Sequence, residues 1–234
     1  MTKDERIRYS RLTAIEEIGD EGIERLKDAT VLVAGCGALG SMAAIQLAAS
    51  GVGHLRIVDF DTIDLSNLQR QFFFKTEETG RSKVSILSKR ISELNPNVRI
   101  ELCEDILSKN NALTLMSGCD FVVEATDNPT SMSLIDSTCN EAGINCVLAG
   151  VSGFSGQVMT CLPGLRRYSD IFPANEEQGI LPCSLTGVVG PAAAVAASVE
   201  VAEAIKSLVG LDTLLSDKLF IFDLLNMRFD IINT

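Results

Sequence analysis

Hydrophobic and polar positions along the chain switch repeatedly between two periods. Residues 5 to 28 set Ile and Leu among charges at helical spacing, which predicts one or two short amphipathic helices with a break near Gly19 to Gly22. "TVLVAG", residues 30–35, is a continuous apolar run, the pattern of a strand buried on both faces. "ALGSMAAIQLAASG" then predicts a helix of small residues that stops on Gly51. "HLRIVD" reads as a second strand, followed by a polar arm. A helix is predicted from about Gly80 to Leu94, with Asn95-Pro96 as its stop. "VRIELCE" makes a third strand, a helix surrounds Asn110 to Ser117, and "DFVVEA" makes a fourth strand. One more helix follows Pro129, and "NCVLAG" is the fifth strand.

Strands separated by helices in this order predict an α/β fold. The expected form is a Rossmann-like doubly wound sheet, mainly parallel, with antiparallel strands at the C-terminal side. The pattern changes after Gly150. "GFSGQVMTCLPG" reads as a strand, and residues 163–182 as a long irregular loop, a length usual in functional or mobile segments. An Ala-rich helix follows Gly187. "KLFIFDLLNMRFDIIN" closes the chain as two strands turning near Asn226. With no repeat or linker in view, residues 1–234 are expected to form one domain, residues 1–28 being its helical N-terminal segment.

Composition narrows the function classes. The net charge is −11, from 20 basic and 31 acidic residues, which disfavours a broad nucleic-acid footprint. The charged N-terminus lacks an apolar signal core. The most apolar run, Gly187 to Val199, is too short to span a bilayer. A cytoplasmic protein without a membrane partner is expected. The seven cysteines are odd in number and form no Cys-x-x-Cys pair, so neither a disulfide framework nor a structural zinc is expected. Most of them read as small buried hydrophobes. The single histidine, His54, starts the second strand at the end away from any crevice. It reads as a surface residue without a catalytic role.

The chemistry gathers around "GCGALG". Gly35, Gly37 and Gly40 match G-x-G-x-x-G between a strand and a helix: one glycine for the turn, one for phosphate approach, one for helix packing. Asp59, at the end of the second strand, suits ribose hydroxyls. These features announce an adenine nucleotide without deciding between a dinucleotide and a triphosphate. The arm "DFDTIDLSNLQRQ" adds Asn67, Arg70 and Gln71, and "GRSKV" adds Lys83. A triphosphate, with about four negative charges, calls for cations in a way that a pyrophosphate cradled by backbone amides does not. Lys83 sits in the first turn of its helix, where a cation gains nothing from the helix dipole. A phosphate ligand and a solvated surface lysine both fit that placement. In "EATDNP", Asp127 could hold Mg²⁺. On residue type alone, capping of the following helix is the commoner role for Asp127 or Asn128.

Together these segments resemble the HesA/MoeB/ThiF family, bacterial relatives of ubiquitin-activating enzymes. "RYSR", "VLVAGCGALGS", "GVGHLRIVDFDTIDLSNLQRQ", "GRSKV", "LNPNV", "EATDN", "GVSGFSGQV" and "GVVGPAAAVAASVEVAEAIK" stand in the family's order and spacing. The resemblance implies transfer of AMP from ATP–Mg²⁺ to the Gly-Gly tail carboxylate of a ubiquitin-like sulfur-carrier protein. It implies a nucleotide site of Gly35, Gly37, Gly40, Asp59, Asp61 and Asn128, with Arg70 and Lys83 on phosphates, Asn67 and Gln71 assisting, and Asp127 on Mg²⁺. It implies a homodimer in which Arg11, on a segment too polar for the core, reaches the neighbouring subunit's site. Cys183, in "GILPCSLTGVVGP", resembles the family's thiol in sulfur transfer; a structural cysteine is the competing reading. The zinc-binding cysteine pairs of many family members are missing. Rival readings are activation of tRNA or a peptide, an NAD-dependent oxidoreductase, and a scaffold that keeps the fold without chemistry.

Overall fold

A computed structural model describes residues 1–172 and 187–234. The strands β1 (Thr30–Ala34), β2 (His54–Val58), β3 (Arg99–Cys103), β4 (Phe121–Glu124), β5 (Asn145–Ser152), β6 (Ser155–Cys161), β7 (Lys218–Asp223) and β8 (Arg228–Asn233) form one sheet. Its order is β3-β2-β1-β4-β5-β6-β7-β8. The pairs from β3 through β5 are parallel, and those from β5 through β8 are antiparallel. This is the expected doubly wound α/β architecture with its antiparallel C-terminal side. The winding reverses between β1 and β4, which opens a crevice at the carboxyl ends of those strands.

The continuous apolar strands are explained by cover on both faces. Val31, Val33, Leu55, Ile57, Phe121 and Val123 point into one core layer, under α3 (Ala38–Ser50), α4 (Lys83–Leu94) and α8 (Gly190–Val209). Leu32, Ala34, Val58, Val122, Cys146 and Leu148 face the other, under α5 (Ala112–Met116) and α6 (Pro129–Ala142). The period of two along each strand decides which layer a residue enters. Small residues let α3 and α8 approach: Ala43, Ala44 and Ala48 on one, Ala192, Ala193, Ala196 and Ala197 on the other are all buried. Among the described residues no helix is long and apolar enough to cross a membrane.

Several boundaries differ from the sequence reading. The N-terminal helices are α1 (Lys3–Arg8) and α2 (Gly19–Asp28), so the break falls over residues 9–18 and Gly19 and Gly22 lie inside a helix. Gly22 serves packing: a Cβ there would lie 2.9 Å from Ile18 Cγ2 and 3.3 Å from Val209 Cγ1. The segment judged too polar for the core contributes Tyr9, 2% exposed, whose hydroxyl accepts a hydrogen bond from Asn95 Nδ2 at 2.9 Å. Helix α4 begins at Lys83, capped by Ser82 Oγ, because Gly80 is in the left-handed region. The loop expected over 163–182 contains a short helix, α7 (Tyr168–Ile171). Its remainder, and Cys183 with it, lies outside the described residues. His54 is half-buried rather than on the surface, with Nδ1 3.4 Å from Thr30 Oγ1. Burial lowers its pKa, so it is neutral at pH 7.

Candidate nucleotide site

The crevice holds a cavity of about 590 Å³. Its floor is the turn after β1. Gly35 has φ +97°, and a Cβ on it would meet Ala125 O at 2.6 Å. Gly40 packs beneath it: a Cβ there would sit 1.8 Å from Gly35 O. The first and third glycines therefore bring β1, β4 and α3 together, and Gly37 at the head of α3 is left facing the cavity. Free backbone N–H groups at the start of a thirteen-residue helix favour an anion there.

Asp59 joins this floor to the polar arm. Its Oδ2 accepts from Cys36 N–H at 2.6 Å and its Oδ1 from Asp61 N–H at 2.8 Å. Each oxygen keeps a further lone pair for a ribose hydroxyl. The arm is stiffened by a 3₁₀ turn, Leu65–Asn67, where the Asp64 carboxylate accepts from Ser66 N–H and Asn67 Oδ1 from Asp64 N–H. Arg70 Nη1 is tied to Ser66 O at 3.0 Å, which holds the guanidinium along the cavity wall. Gln71 is 4% exposed, and its Oε1 has no partner among the described residues.

One of the two readings left open for Lys83 falls: it is not a solvated surface lysine. It is a buried lysine, 4% exposed, lining the cavity, with Nζ on Asp61 Oδ2 at 2.8 Å. The cap question is settled. Asn128 Oδ1 accepts from Ser131 N–H at 3.0 Å and so caps α6, while the Asp127 carboxylate lines the cavity with no hydrogen bond or ion pair among the described residues. Gly35, Gly37, Asp59, Asp61, Asn67, Arg70, Gln71, Lys83, Asp127 and Asn128 therefore share one cavity, with Gly40 just behind it. Arg11 is exposed and outside its own chain's cavity. Cys36 offers no nucleophile: burial and the Asp59 charge push its thiol well above the usual range.

Three features escaped the sequence reading. Gln157 and Tyr168, from β6 and α7, form the far wall, Gln157 Nε2 donating to the Tyr168 hydroxyl at 3.1 Å. Asp105, Ile106 and Leu107, after β3, close another side. Below the site lies Glu124, fully buried, which accepts from Thr126 N–H at 2.8 Å and from the Thr126 hydroxyl. Burial pushes its pKa up to about 8. Glu200 of α8 is also fully buried, with neither oxygen partnered among the described residues. Burial, and then the field of Glu124, pushes its pKa well above the ordinary range. The glutamate in "EATDN" and the one in the apolar run of α8 were the visible signals.

With this geometry in place, comparison with known proteins is direct. The sequence profile of the ThiF family matches residues 9–234. The chain belongs to the ThiF family. A Thermus thermophilus protein named sulfur carrier protein adenylyltransferase is 37% identical over 235 residues, covering 97% of this chain and 87% of that protein. The Escherichia coli protein named sulfur carrier protein ThiS adenylyltransferase is 35% identical over 209 residues, covering 88% and 83%. Among solved structures, E. coli MccB with ATP superposes with a TM-score of 0.81 at 23% identity, over 97% of this chain and 70% of that one, a likeness of fold.

Proposed function

We propose that this chain adenylylates the C-terminal Gly-Gly carboxylate of a ubiquitin-like sulfur-carrier protein with ATP, releasing pyrophosphate, for thiamin thiazole or molybdopterin synthesis. The names of the relatives supply the substrate class. The observation that carries the reading is Lys83: a buried ammonium, paired with Asp61 and lining a glycine-loop cavity, suits a polyphosphate. In this reading Gly37 lies under the nucleotide, Asp59 holds the ribose, and Arg70 and Lys83 meet the phosphates with Asn67 and Gln71 beside them.

The charge of the lining bears on the metal. Asp59, Asp61, Asp105 and Asp127 give −4, and Arg70 and Lys83 give +2, a net −2 among the described residues. A triphosphate of about −4 entering that lining needs a further cation. The unpaired Asp127 carboxylate is an oxygen donor of the kind Mg²⁺ takes, so the residues present fit the ion. Mg²⁺, when bound, neutralises phosphate charge. The carrier carboxylate is ionised at pH 7 and is itself the nucleophile, so no general base is required. It attacks the α-phosphorus, the bond to the β-phosphate oxygen breaks, and pyrophosphate leaves. The chain's cations offset the repulsion between the two anions.

The reading extends to a cytoplasmic homodimer built from one domain per chain, with Arg11 serving the partner's site and no nucleic-acid or membrane partner. Cys183 is assigned the thiol step after the acyl-adenylate forms. ATP–pyrophosphate exchange driven by a carrier ending in Gly-Gly tests the reaction.

A further inference from the structure

The absence of Cys-x-x-Cys pairs argued against zinc in the sequence, but folding gathers thiols by another route. Cys146 and Cys161 face each other across the antiparallel β5–β6 pair. Asp136 of α6 reaches over them. One donor atom from each of the three lies within 4.8 Å of the other two, and all three residues are buried. Cys139 stands one turn along α6 from Asp136. Its thiol contacts Cys146 and lies 3.7 Å from Met116 Sδ.

Thiols in a core pass as small hydrophobes. Asp136 does not. It is 1% exposed, in a layer of Cys, Met and Leu side chains, and its Oδ1 has no partner among the described residues. An unpaired carboxylate oxygen in such surroundings is costly unless it meets a cation. The backbone is arranged as if for anions as well. Tyr168 N–H donates to Cys161 Sγ at 3.2 Å, and Ser169 N–H donates to Asp136 Oδ2 at 2.9 Å. Such outer hydrogen bonds to thiolate and carboxylate ligands are a regular part of metal centres.

We propose that Asp136, Cys146 and Cys161 form a buried binding site for one Zn²⁺, with Cys139 as the fourth donor. Sulfur donors select a soft or borderline cation and exclude Mg²⁺ and Ca²⁺. Bonds of about 2.3 Å to zinc place tetrahedral sulfurs about 3.8 Å apart, so for Asp136, Cys146 and Cys161, within 4.8 Å of one another, closure asks for side-chain shifts on the order of 1 Å. Binding replaces each thiol proton by the metal bond and releases the proton to solvent. Three thiolates and one carboxylate leave the site at about −2, the charge of a four-cysteine zinc site. The ion would fasten the segment before α7 to β6 and α6. That segment leads directly into Tyr168, the first residue of α7, whose hydroxyl holds Gln157 on the cavity wall. The site is separate from the nucleotide site and independent of the adenylylation reading.

The test is a Co²⁺ titration of the reduced, chelator-treated full chain. One equivalent is expected to bind, with sulfur-to-cobalt charge-transfer absorption and tetrahedral d–d bands that one equivalent of Zn²⁺ abolishes. Cys161→Ser and Asp136→Asn should weaken binding by at least about tenfold. Cys103→Ser removes a half-buried thiol from β3, the edge strand four places from β5 in the sheet, and should leave the spectrum unchanged. No thiolate charge transfer in folded wild-type protein would overturn the proposal, whatever the variants do. So would an undiminished signal in folded Cys161→Ser, or its loss in Cys103→Ser.

Discussion

Lys83 Nζ and Asp61 Oδ2 lie 2.8 Å apart, the lysine buried and the aspartate half open to the cavity. In the proposed reaction a phosphate competes with Asp61 for the Lys83 ammonium. Lys83→Ala should lower ATP–pyrophosphate exchange by at least about a hundredfold, on the order of 3 kcal/mol. Arg11→Ala should also impair exchange, although Arg11 lies outside its own chain's cavity. Mixing the two variants under conditions of subunit exchange should restore part of the activity, because one site of each mixed dimer is intact. No recovery despite demonstrated mixed dimers would remove the trans role of Arg11.

Asp127 and Asn128 are neighbours with different work. Asn128 caps α6, so Asn128→Ala should lower stability by about 1 kcal/mol, read as a lower melting temperature. Asp127→Ala should leave the melting temperature unchanged and abolish Mg²⁺-dependent exchange. The reverse pattern would assign Asp127 to the helix and leave the metal without its ligand.

The buried carboxyls Glu124 and Glu200 make stability depend on pH. In the unfolded chain both ionise near 4.5; in the folded chain Glu124 holds its proton to about 8, and Glu200 is shifted in the same direction. The folded state binds more protons between those values. Stability is therefore full below the ordinary carboxylate range and falls as pH climbs towards 8. Glu124→Gln should flatten this fall by an amount on the order of 4 kcal/mol across the window. Chemical denaturation from pH 5 to 8 measures it, and parallel wild-type and variant profiles would refute the assignment.

Much of this was readable before folding, for physical reasons that differ by residue. The strands were legible because burial on both faces leaves continuous apolar runs. The glycine turn was legible because Gly35 and Gly40 each answer a local steric need. Lys83 and Asp127 were ambiguous because a position in a helix turn does not reveal what the helix is packed beside; burial in the cavity lining removes the solvated reading of Lys83, and the cap by Asn128 relieves Asp127 of that role. Tyr9 was misread because one buried aromatic leaves no periodic trace among charges. The grouping of Asp136 with Cys146 and Cys161 was invisible because it depends on strand register across the antiparallel part of the sheet.

Cys183 should be dispensable for adenylylation, since the carboxylate attacks ATP directly. Cys183→Ala is expected to keep exchange while losing any thiol-linked carrier adduct, detected by mass spectrometry without reductant, and sulfur delivery. Unimpaired sulfur transfer in this variant would return Cys183 to a structural role.

The proposed reaction rests on exchange of labelled pyrophosphate into ATP in the presence of Mg²⁺ and a purified carrier protein ending in Gly-Gly. Exchange should appear only when ATP, Mg²⁺ and the intact tail are all present, and should vanish when the terminal glycine is removed or its carboxylate amidated. Exchange that ignores the tail, or its absence with every Gly-Gly carrier tested while ATP still binds, would contradict adenylylation of such a carrier.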